Sequence, residues 1–170
     1  VKEVIKVGVL VIEGGKRLEG AVKVQGAKNA VLPILAATIL NHGESVIHNC
    51  PKLRDVEKTI DVLEHLGCKV TRDNHTLTVN AKDITQNTIP DELMHQMRSS
   101  IIFMGAIISR AGDARVSMPG GCEIGNRPIG LHLKGLEQLG VKIEEEHGYI
   151  NCTSEKLVGT NIHLEFPSVG

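Results

Sequence analysis

The sequence predicts an α+β protein built from repeated β-α-β-α-β-β units, with buried helices inside, sheets outside and a third unit cut short. Three observations predict it. Val62-Leu-Glu-His-Leu-Gly-Cys-Lys-Val70 and Gly135-Leu-Glu-Gln-Leu-Gly-Val-Lys-Ile143 carry Leu, Glu, Leu, Gly and Lys at matched places, with Leu63 and Leu136 73 residues apart. Self-similarity at a fixed period is the mark of repeat architecture. Asn29–Leu40 and Ser99–Ser109 are apolar on nearly every side, and a helix without a polar face has to be buried all round. Finally, Gly159-Thr-Asn-Ile-His-Leu-Glu165 is similar to Gly20-Ala-Val-Lys-Val24, and Pro167-Ser-Val-Gly170 stands where Gln25-Gly-Ala-Lys28 precedes the first apolar helix. Each unit offers one buried helix and one sheet with an apolar face. The economical packing is an inside-out α/β barrel around a pseudo-threefold axis. Repeat one then spans 20–90, repeat two 91–158, and the start of repeat three 159–170. The helix mouths at Lys28, Arg98 and Ser168 converge in that geometry.

The elements follow in order. Val4–Ile12, rich in Val and Ile, predicts a strand closed by Gly14-Gly15. Leu18–Gln25 alternates and predicts a second. Asn29–Leu40 is the first apolar helix, with Pro33 tolerated if it falls in the first turn. Gly43–Asn49 is a strand ended by Cys50-Pro51. Leu53–Leu66 is an amphipathic helix with Val56, Ile60, Leu63 and Leu66 on one stripe and Gly67 past its end. Lys69–Thr71 and Thr76–Asn80 form a hairpin across Asp73-Asn74, and Ala81–Pro90 is polar and loop-like. The plan then recurs. Ser99–Ser109 is a helix with Arg98 at its mouth, Ala114–Met118 a strand, Ile129–Leu139 an amphipathic helix ending at Gly140. Val141–Glu144 and Tyr149–Cys152 form a hairpin turning near His147-Gly148.

Composition narrows the function. At 170 residues the chain suits one domain with a sizeable core. Nineteen basic against twenty acidic residues leave a net charge of -1, so no global field points to nucleic acid or an anionic membrane. Phe103, Tyr149 and Phe166 are the only aromatics, which removes the stacking platform that single-stranded nucleic acid needs. Cys50, Cys68, Cys122 and Cys152 show no C-x-x-C and no framework spacing, and read as reduced thiols of a cytoplasmic protein. The eight histidines form no ligand pair, so no metal and no cofactor are expected. The uncharged run Val7–Ile12 is too short for a signal core or a membrane span.

Chemistry concentrates at Met118-Pro-Gly-Gly-Cys-Glu-Ile-Gly-Asn-Arg-Pro128. A Pro-Gly-Gly run predicts an open loop whose main-chain N–H groups can approach an anion. The loop carries the Cys122 thiol with the Arg127 guanidinium five residues on, and a nearby cation favours the reactive thiolate. A structural alternative stands beside this one: free cysteines are among the most buried residue types, and buried ones are inert. Lys28 and Asn29 open the first apolar helix. A cation at that end is disfavoured by the helix dipole unless an anion joins it, although a lysine that simply reaches solvent fits the same residues.

With these residues in hand, the chain resembles the UDP-N-acetylglucosamine 1-carboxyvinyltransferases, the enolpyruvyl transferases that open bacterial peptidoglycan synthesis. The matching stretches are Gly26-Ala-Lys-Asn-Ala-Val-Leu-Pro33, Met97-Arg-Ser-Ser100, the Met118–Pro128 loop, Leu136-Glu-Gln-Leu-Gly140 and Pro167-Ser-Val-Gly170. The inside-out barrel agrees with that family's fold, and residues 1–19 would be an extension and a strand belonging to the family's other domain. The resemblance implies transfer of enolpyruvyl from phosphoenolpyruvate to the 3-hydroxyl of UDP-N-acetylglucosamine, with release of phosphate. It implies that Lys28, Asn29 and Arg127 meet phosphoenolpyruvate, and that Cys122 is the proton donor and the thiol alkylated by fosfomycin. It places Arg98, Arg127, Pro128, Ile129, Gly130, Leu131, His132, Ser168 and Val169 at the UDP-sugar. Gly130 stands where many members carry an aspartate, and Glu165-Phe-Pro167 lacks a lysine that some members have. Family enzymes are more than twice as long, so the chain reads as an N-terminal part expected to be inactive alone and prone to self-association at its open edge. A stand-alone UDP-sugar-binding module and a purely structural domain are the competing readings.

Overall fold

Two sheets of like topology carry the helices. The computed structural model describes residues 11, 13–94, 101–118 and 129–164. Repeat one contains α1 (Lys28–Ala37), extended by a 3-10 turn over Thr38–Leu40, then β1 (Glu44–Ile47), α2 (Arg54–His65), β2 (Lys69–Asp73) and β3 (Thr76–Asn80). Repeat two contains β4 (Thr88–Ile89), the single turn α3 (Asp91–Met94), α4 (Ile102–Ala111), β5 (Asp113–Ser117), α5 (Gly130–Gln138), β6 (Lys142–Glu146) and β7 (Tyr149–Thr153). The first sheet has the order β1-β3-β2 and the second β4-β5-β7-β6. Without β4 the two orders are the same. Glu44 faces Asn80 across the first sheet as Asp113 faces Thr153 across the second.

The likeness extends to single hydrogen bonds. At the end of α2, Gly67 N–H donates to Glu64 and Cys68 N–H to the Leu63 carbonyl; at the end of α5, Gly140 N–H donates to Glu137 and Val141 N–H to Leu136. This is the Schellman arrangement, which needs a left-handed residue just past the helix. Gly67 and Gly140 supply it at φ 106° and 97°. Thr85 N–H then donates to Leu66, as Val158 N–H donates to Leu139. In the second hairpin His147 and Gly148 both hold positive φ, the turn whose twist matches antiparallel strands.

The core is one apolar cluster, mostly aliphatic, shared by both repeats. Leu35 and Ile39 from the first helix, Val56 and Leu63 from α2, Leu77 and Val79 from β3, Phe103, Met104 and Ile107 from α4, and Val116 and Ile150 from the second sheet are all buried within it. Side chains of this size contribute roughly 1.5–3 kcal/mol each on full burial. Helices α1 and α4 lie against each other, and α1 also packs on α2. Arg110 at the end of α4 ties the repeats together: its Nη2 donates to the carbonyls of Ala81 at 3.1 Å and Lys82 at 3.0 Å.

Four expectations are corrected. The first apolar helix is not buried all round. Val31, Leu32, Leu35 and Ala36 are buried, but Ala30, Pro33 and Ala37 are exposed, with Ile34 50% and Leu40 49% exposed. Helices α2 and α4 cover the other sides of α1, and no described element covers this one. α4 comes closer to the expectation, burying Phe103, Met104, Ala106, Ile107 and Ile108, with Ser109 exposed. Pro33 is the sixth residue of α1, beyond the first turn; having no N–H, it leaves the Asn29 carbonyl without its helical donor. Leu18–Gln25 forms no strand, since Leu18, Val22 and Val24 lie open to solvent with no ladder partner among the described residues. Finally, Ala81–Pro90 is not all loop. Thr88 and Ile89 pair in parallel with Arg115 and Val116, because Ile89 is drawn fully into the core. Residues 159–164 carry no regular structure. The predicted strand over Val4–Ile12 lies outside the described residues except for Val11, which has no regular structure.

Candidate functional site

The chain enters α1 past a tight contact. A Cβ on Gly26 would sit 2.3 Å from the Asn49 carbonyl oxygen, so only glycine lets the approach to α1 pass against the turn that joins β1 to α2. That turn is itself fixed: Cys50 N–H donates to the His75 carbonyl at 2.7 Å, and the Arg72 guanidinium lies 3.8 Å from the Cys50 sulfur. Two residues beyond Gly26, Lys28 begins the helix. The N-cap Ala27 offers no side-chain acceptor, and the first turn holds no acidic residue. The free N–H groups there make this end an anion-attracting one.

Lys28 is therefore a cation at the positive end of a helix, and its stabilisation comes from across the interface. Its Nζ donates to Asp55 Oδ2 at 2.8 Å, with the two side chains 52% and 36% exposed. Asp55 stands in the first turn of α2, where the dipole favours a negative charge. Sequence reading missed Asp55. The available signal was an acidic residue opening an amphipathic helix, but only the packing of α1 on α2 brings it to Lys28. Asn29 is exposed beside Lys28.

A second group of expected residues opens α5. Ile129 is its N-cap residue, Gly130 begins the helix, and Gly130 and His132 are exposed while Ile129 and Leu131 are half-buried. A Cβ on Gly130 would meet nothing within 4 Å, so the glycine here answers to no crowding by its neighbours. Leu131 lines a cleft of about 390 Å³ together with Lys134, Glu137, Gln138, His163 and Leu164. The chain heading towards Ser168 and Val169 therefore passes beside Leu131. Arg98, Cys122, Arg127, Pro128, Ser168 and Val169 lie outside the described residues. A further cleft of about 450 Å³, among Gly112, Gly140, Lys142 and Thr153 to Lys156, contains none of the expected residues.

The other three cysteines lie within the described residues. Cys50, Cys68 and Cys152 are free thiols and buried. Burial pushes the thiols of Cys68 and Cys152 up to about 11, and that of Cys50 upward as well, with Arg72 opposing the shift. At neutral pH all three are thiols, not thiolates, and chemically quiet. Among the described residues no group of three or more His, Cys, Asp or Glu could hold a metal, and no helix is long and apolar enough to cross a membrane.

Tandem α+β units, each with a helix packed on an antiparallel hairpin, define a repeat-built α+β protein, with a lysine at the mouth of its first apolar helix. Comparison with known proteins gives the family. The model of the family EPSP synthase (3-phosphoshikimate 1-carboxyvinyltransferase) matches residues 12–170, and the chain belongs to that family. It is 60% identical over 159 residues to UDP-N-acetylglucosamine 1-carboxyvinyltransferase 2 of Caldanaerobacter subterraneus subsp. tengcongensis, covering 94% of this chain and 38% of that one. It is 46% identical over 160 residues to UDP-N-acetylglucosamine 1-carboxyvinyltransferase of Desulfosudis oleivorans, with the same coverage of 94% and 38%. Among solved structures it is similar to the enolpyruvyl transferase NikO from Streptomyces tendae, with a TM-score of 0.71 and 26% identity over 85% of this chain and 32% of that one. EPSP synthase from Acinetobacter baumannii, at TM-score 0.64 and 17% identity over 88% and 35% of the two chains, shares the fold. The chain thus spans 38% of the length of the curated relatives it matches.

Proposed function

We propose that the chain carries the anion-binding part of a site that moves enolpyruvyl from phosphoenolpyruvate to the 3-hydroxyl of UDP-N-acetylglucosamine and releases phosphate, the step that commits material to peptidoglycan. The observation that carries the reading is Lys28. It sits at an uncapped helix N-terminus with no acid in the first turn of its own helix, paired with Asp55 yet partly open to solvent, where a bound anion can share both the ammonium and the free N–H groups. The names of the two relatives, both carboxyvinyltransferases acting on UDP-N-acetylglucosamine, support reading that anion as phosphoenolpyruvate. In this reading Lys28, Asn29 and Arg127 hold phosphoenolpyruvate. Arg98, Arg127, Pro128, Ile129, Gly130, Leu131, His132, Ser168 and Val169 receive the UDP-sugar, and the half-buried Leu131 in its cleft suits a ligand edge. The sugar hydroxyl releases its proton to solvent as its oxygen bonds to C2 of the enol phosphate, while Cys122 protonates the methylene carbon and is left as thiolate. Return of a methyl proton to that thiolate, with cleavage of the C2–O bond to the departing phosphate, then restores the double bond. Fosfomycin would alkylate the same thiol.

The reading extends to architecture and place. Residues 20–170 form the barrel domain, in which a further element covers Ile34 and Leu40 of α1; residues 1–19 belong with a second domain, and the protein works in the cytoplasm. Its test is a titration of phosphoenolpyruvate and UDP-N-acetylglucosamine against the chain and its Lys28→Ala variant, with thiol mapping at neutral pH in parallel. The expected result is at least tenfold weaker binding of phosphoenolpyruvate in the variant, on the order of one charge-assisted hydrogen bond. Cys122 should label well ahead of the three buried thiols. Equal binding by both chains, or labelling of Cys68 or Cys152 first, would sink the assignment.

A further inference from the structure

We propose that Asp55 is the built-in counter-ion of Lys28, a specificity-determining residue whose carboxylate holds the anion position until a more highly charged ligand displaces it. The inference rests on the reading of Lys28 as an anion site and adds the residue that guards it. Four features carry it. Lys28 Nζ and Asp55 Oδ2 lie 2.8 Å apart, the only ion pair that either side chain makes among the described residues. The pair bridges two helix N-termini, with Lys28 first in α1 and Asp55 second in α2. The N–H groups of both ends favour a negative charge between them, and Asp55 now supplies it. The carboxylate also stands on a rigid base: the Asp55 carbonyl accepts the hydroxyl of the buried Thr59 at 2.8 Å, and the neighbouring Val56 is fully buried. The pair is nonetheless partly open to solvent, so an incoming anion can reach the ammonium without unpacking either helix.

The chemistry fixes the direction of the effect. A singly charged carboxylate already occupies Lys28, so an external monoanion gains little by replacing it. A phosphate dianion gains more from the same two helix ends and ammonium. Removing the charge of Asp55 while keeping its shape therefore strengthens anion binding. A residue that merely supported the fold, or merely aimed Lys28, would weaken binding when altered.

The experiment uses the 170-residue chain with two probes, inorganic phosphate and phosphoenolpyruvate, titrated against the unmutated chain, Asp55→Asn, Asp55→Glu and Lys28→Ala. Asp55→Asn is expected to bind both probes roughly three- to fivefold more tightly, the scale of a partly exposed ion pair plus the lost repulsion. Asp55→Glu, which keeps the charge, should stay near the unmutated affinity. Unchanged or weaker binding by Asp55→Asn, with Lys28→Ala still weakened, overturns the inference and leaves the anion site standing. Full binding by Lys28→Ala overturns the reading of the site itself. A direct readout avoids dependence on any variant: the side-chain carboxyl carbon resonance of Asp55 in the unmutated chain should move as phosphate is added. A resonance that stays fixed while Lys28 responds would overturn the displacement.

Discussion

Helix α2 buries Val56, Thr59, Val62 and Leu63, while α5, in the matching place of the second repeat, buries no residue. The two share their end motif to the hydrogen bond, and their hairpins run in the same order. What differs is the neighbour on the far side. α2 is held between α1 and its own sheet; α5 rests on β6. Local sequence therefore decides that each helix forms and where it stops, and the tertiary partner decides how deeply it is buried. The second difference is a length. β1 and α2 are joined by residues 48–53, whereas β5 and α5 are joined by 118–129. The extra chain in repeat two falls in the one stretch that carries Cys122 and Arg127. Repeat one closes its link of residues 48–53 tightly on Gly26, while the link of repeat two is longer by the residues that include Pro119-Gly-Gly-Cys122.

The largest test of this comparison is a pair of truncations. Leu63 and Leu136 occupy the same helical position, but Leu63 is fully buried and Leu136 only partly so. Leu63→Ala should cost about 3–4 kcal/mol and Leu136→Ala about 1 kcal/mol, since the loss follows burial and the cavity left behind. Urea midpoints at constant slope measure both. Equal losses would mean that α5 is as deeply packed in solution as α2.

Next come the two helix-ending glycines. Both hold positive φ, but a Cβ on Gly67 would meet the Asp83 carbonyl oxygen at 2.7 Å, while on Gly140 the nearest atom is the Lys156 carbonyl oxygen at 3.2 Å. Gly67→Ala adds backbone crowding to the conformational cost and should lose about 2–3 kcal/mol; Gly140→Ala should lose about 1 kcal/mol. If thermal unfolding ranks them in the opposite order, the crowding at Gly67 is relieved by movement of residues 83–85.

Much of this was legible before any coordinates. The 73-residue echo between Leu63 and Leu136 gave the repeat, because a Schellman end needs its glycine at one fixed place. Hairpins and amphipathic stripes fell within a few residues of their observed bounds for the same local reason. Burial of α1 and pairing of Leu18–Gln25 were not legible, since both depend on what lies across an interface and not on the segment itself. The strand at Thr88–Ile89 was hidden by its polar surroundings; two residues carry no period, and only the parallel ladder to β5 makes them a strand. The pairing of Lys28 with Asp55, 27 residues apart, was invisible for want of helix packing.

Repeat one buries Cys50 and Cys68 and repeat two buries Cys152, all with raised proton affinity, and the shifts of Cys68 and Cys152 are the large ones. The sign of the pH dependence follows. An acid whose proton is held more tightly in the folded state stabilises the fold below its unfolded value, near 8.5. That contribution is lost as the pH rises through the folded value of about 11. The unfolded chain binds fewer protons over that window, so stability falls with pH. Each thiol adds a slope of up to about 1.4 kcal/mol per pH unit between roughly pH 9 and 11. Cys68→Ser with Cys152→Ala should flatten the curve in that window. A curve that keeps its slope would place the alkaline loss elsewhere, in lysine ion pairs for instance.

The smallest effect belongs to an ion pair that only repeat one can make. Arg72 on β2 reaches Glu57 on α2, Nη1 to Oε1 at 3.2 Å. The places 73 residues on are held by Glu145 and Gly130, so repeat two has neither charge of the pair. Removing it should move repeat one towards repeat two, in which the helix is less firmly fixed to its hairpin. Glu57 is more than half exposed while Arg72 is largely covered, and solvent screens most of the attraction on the glutamate side. Glu57→Gln should therefore cost less than about 1 kcal/mol, and less still in molar salt. Arg72→Met should cost more than Glu57→Gln, because the guanidinium also lies against the Cys50 sulfur and its stem packs between strand and helix. Hydrogen exchange of the α2 amides gives the finer reading: opening should quicken in both variants and approach the rate of α5. If α2 keeps its protection in both, its fixation comes from Val56, Val62 and Leu63 alone, and the contrast between the repeats is one of apolar packing with no electrostatic share.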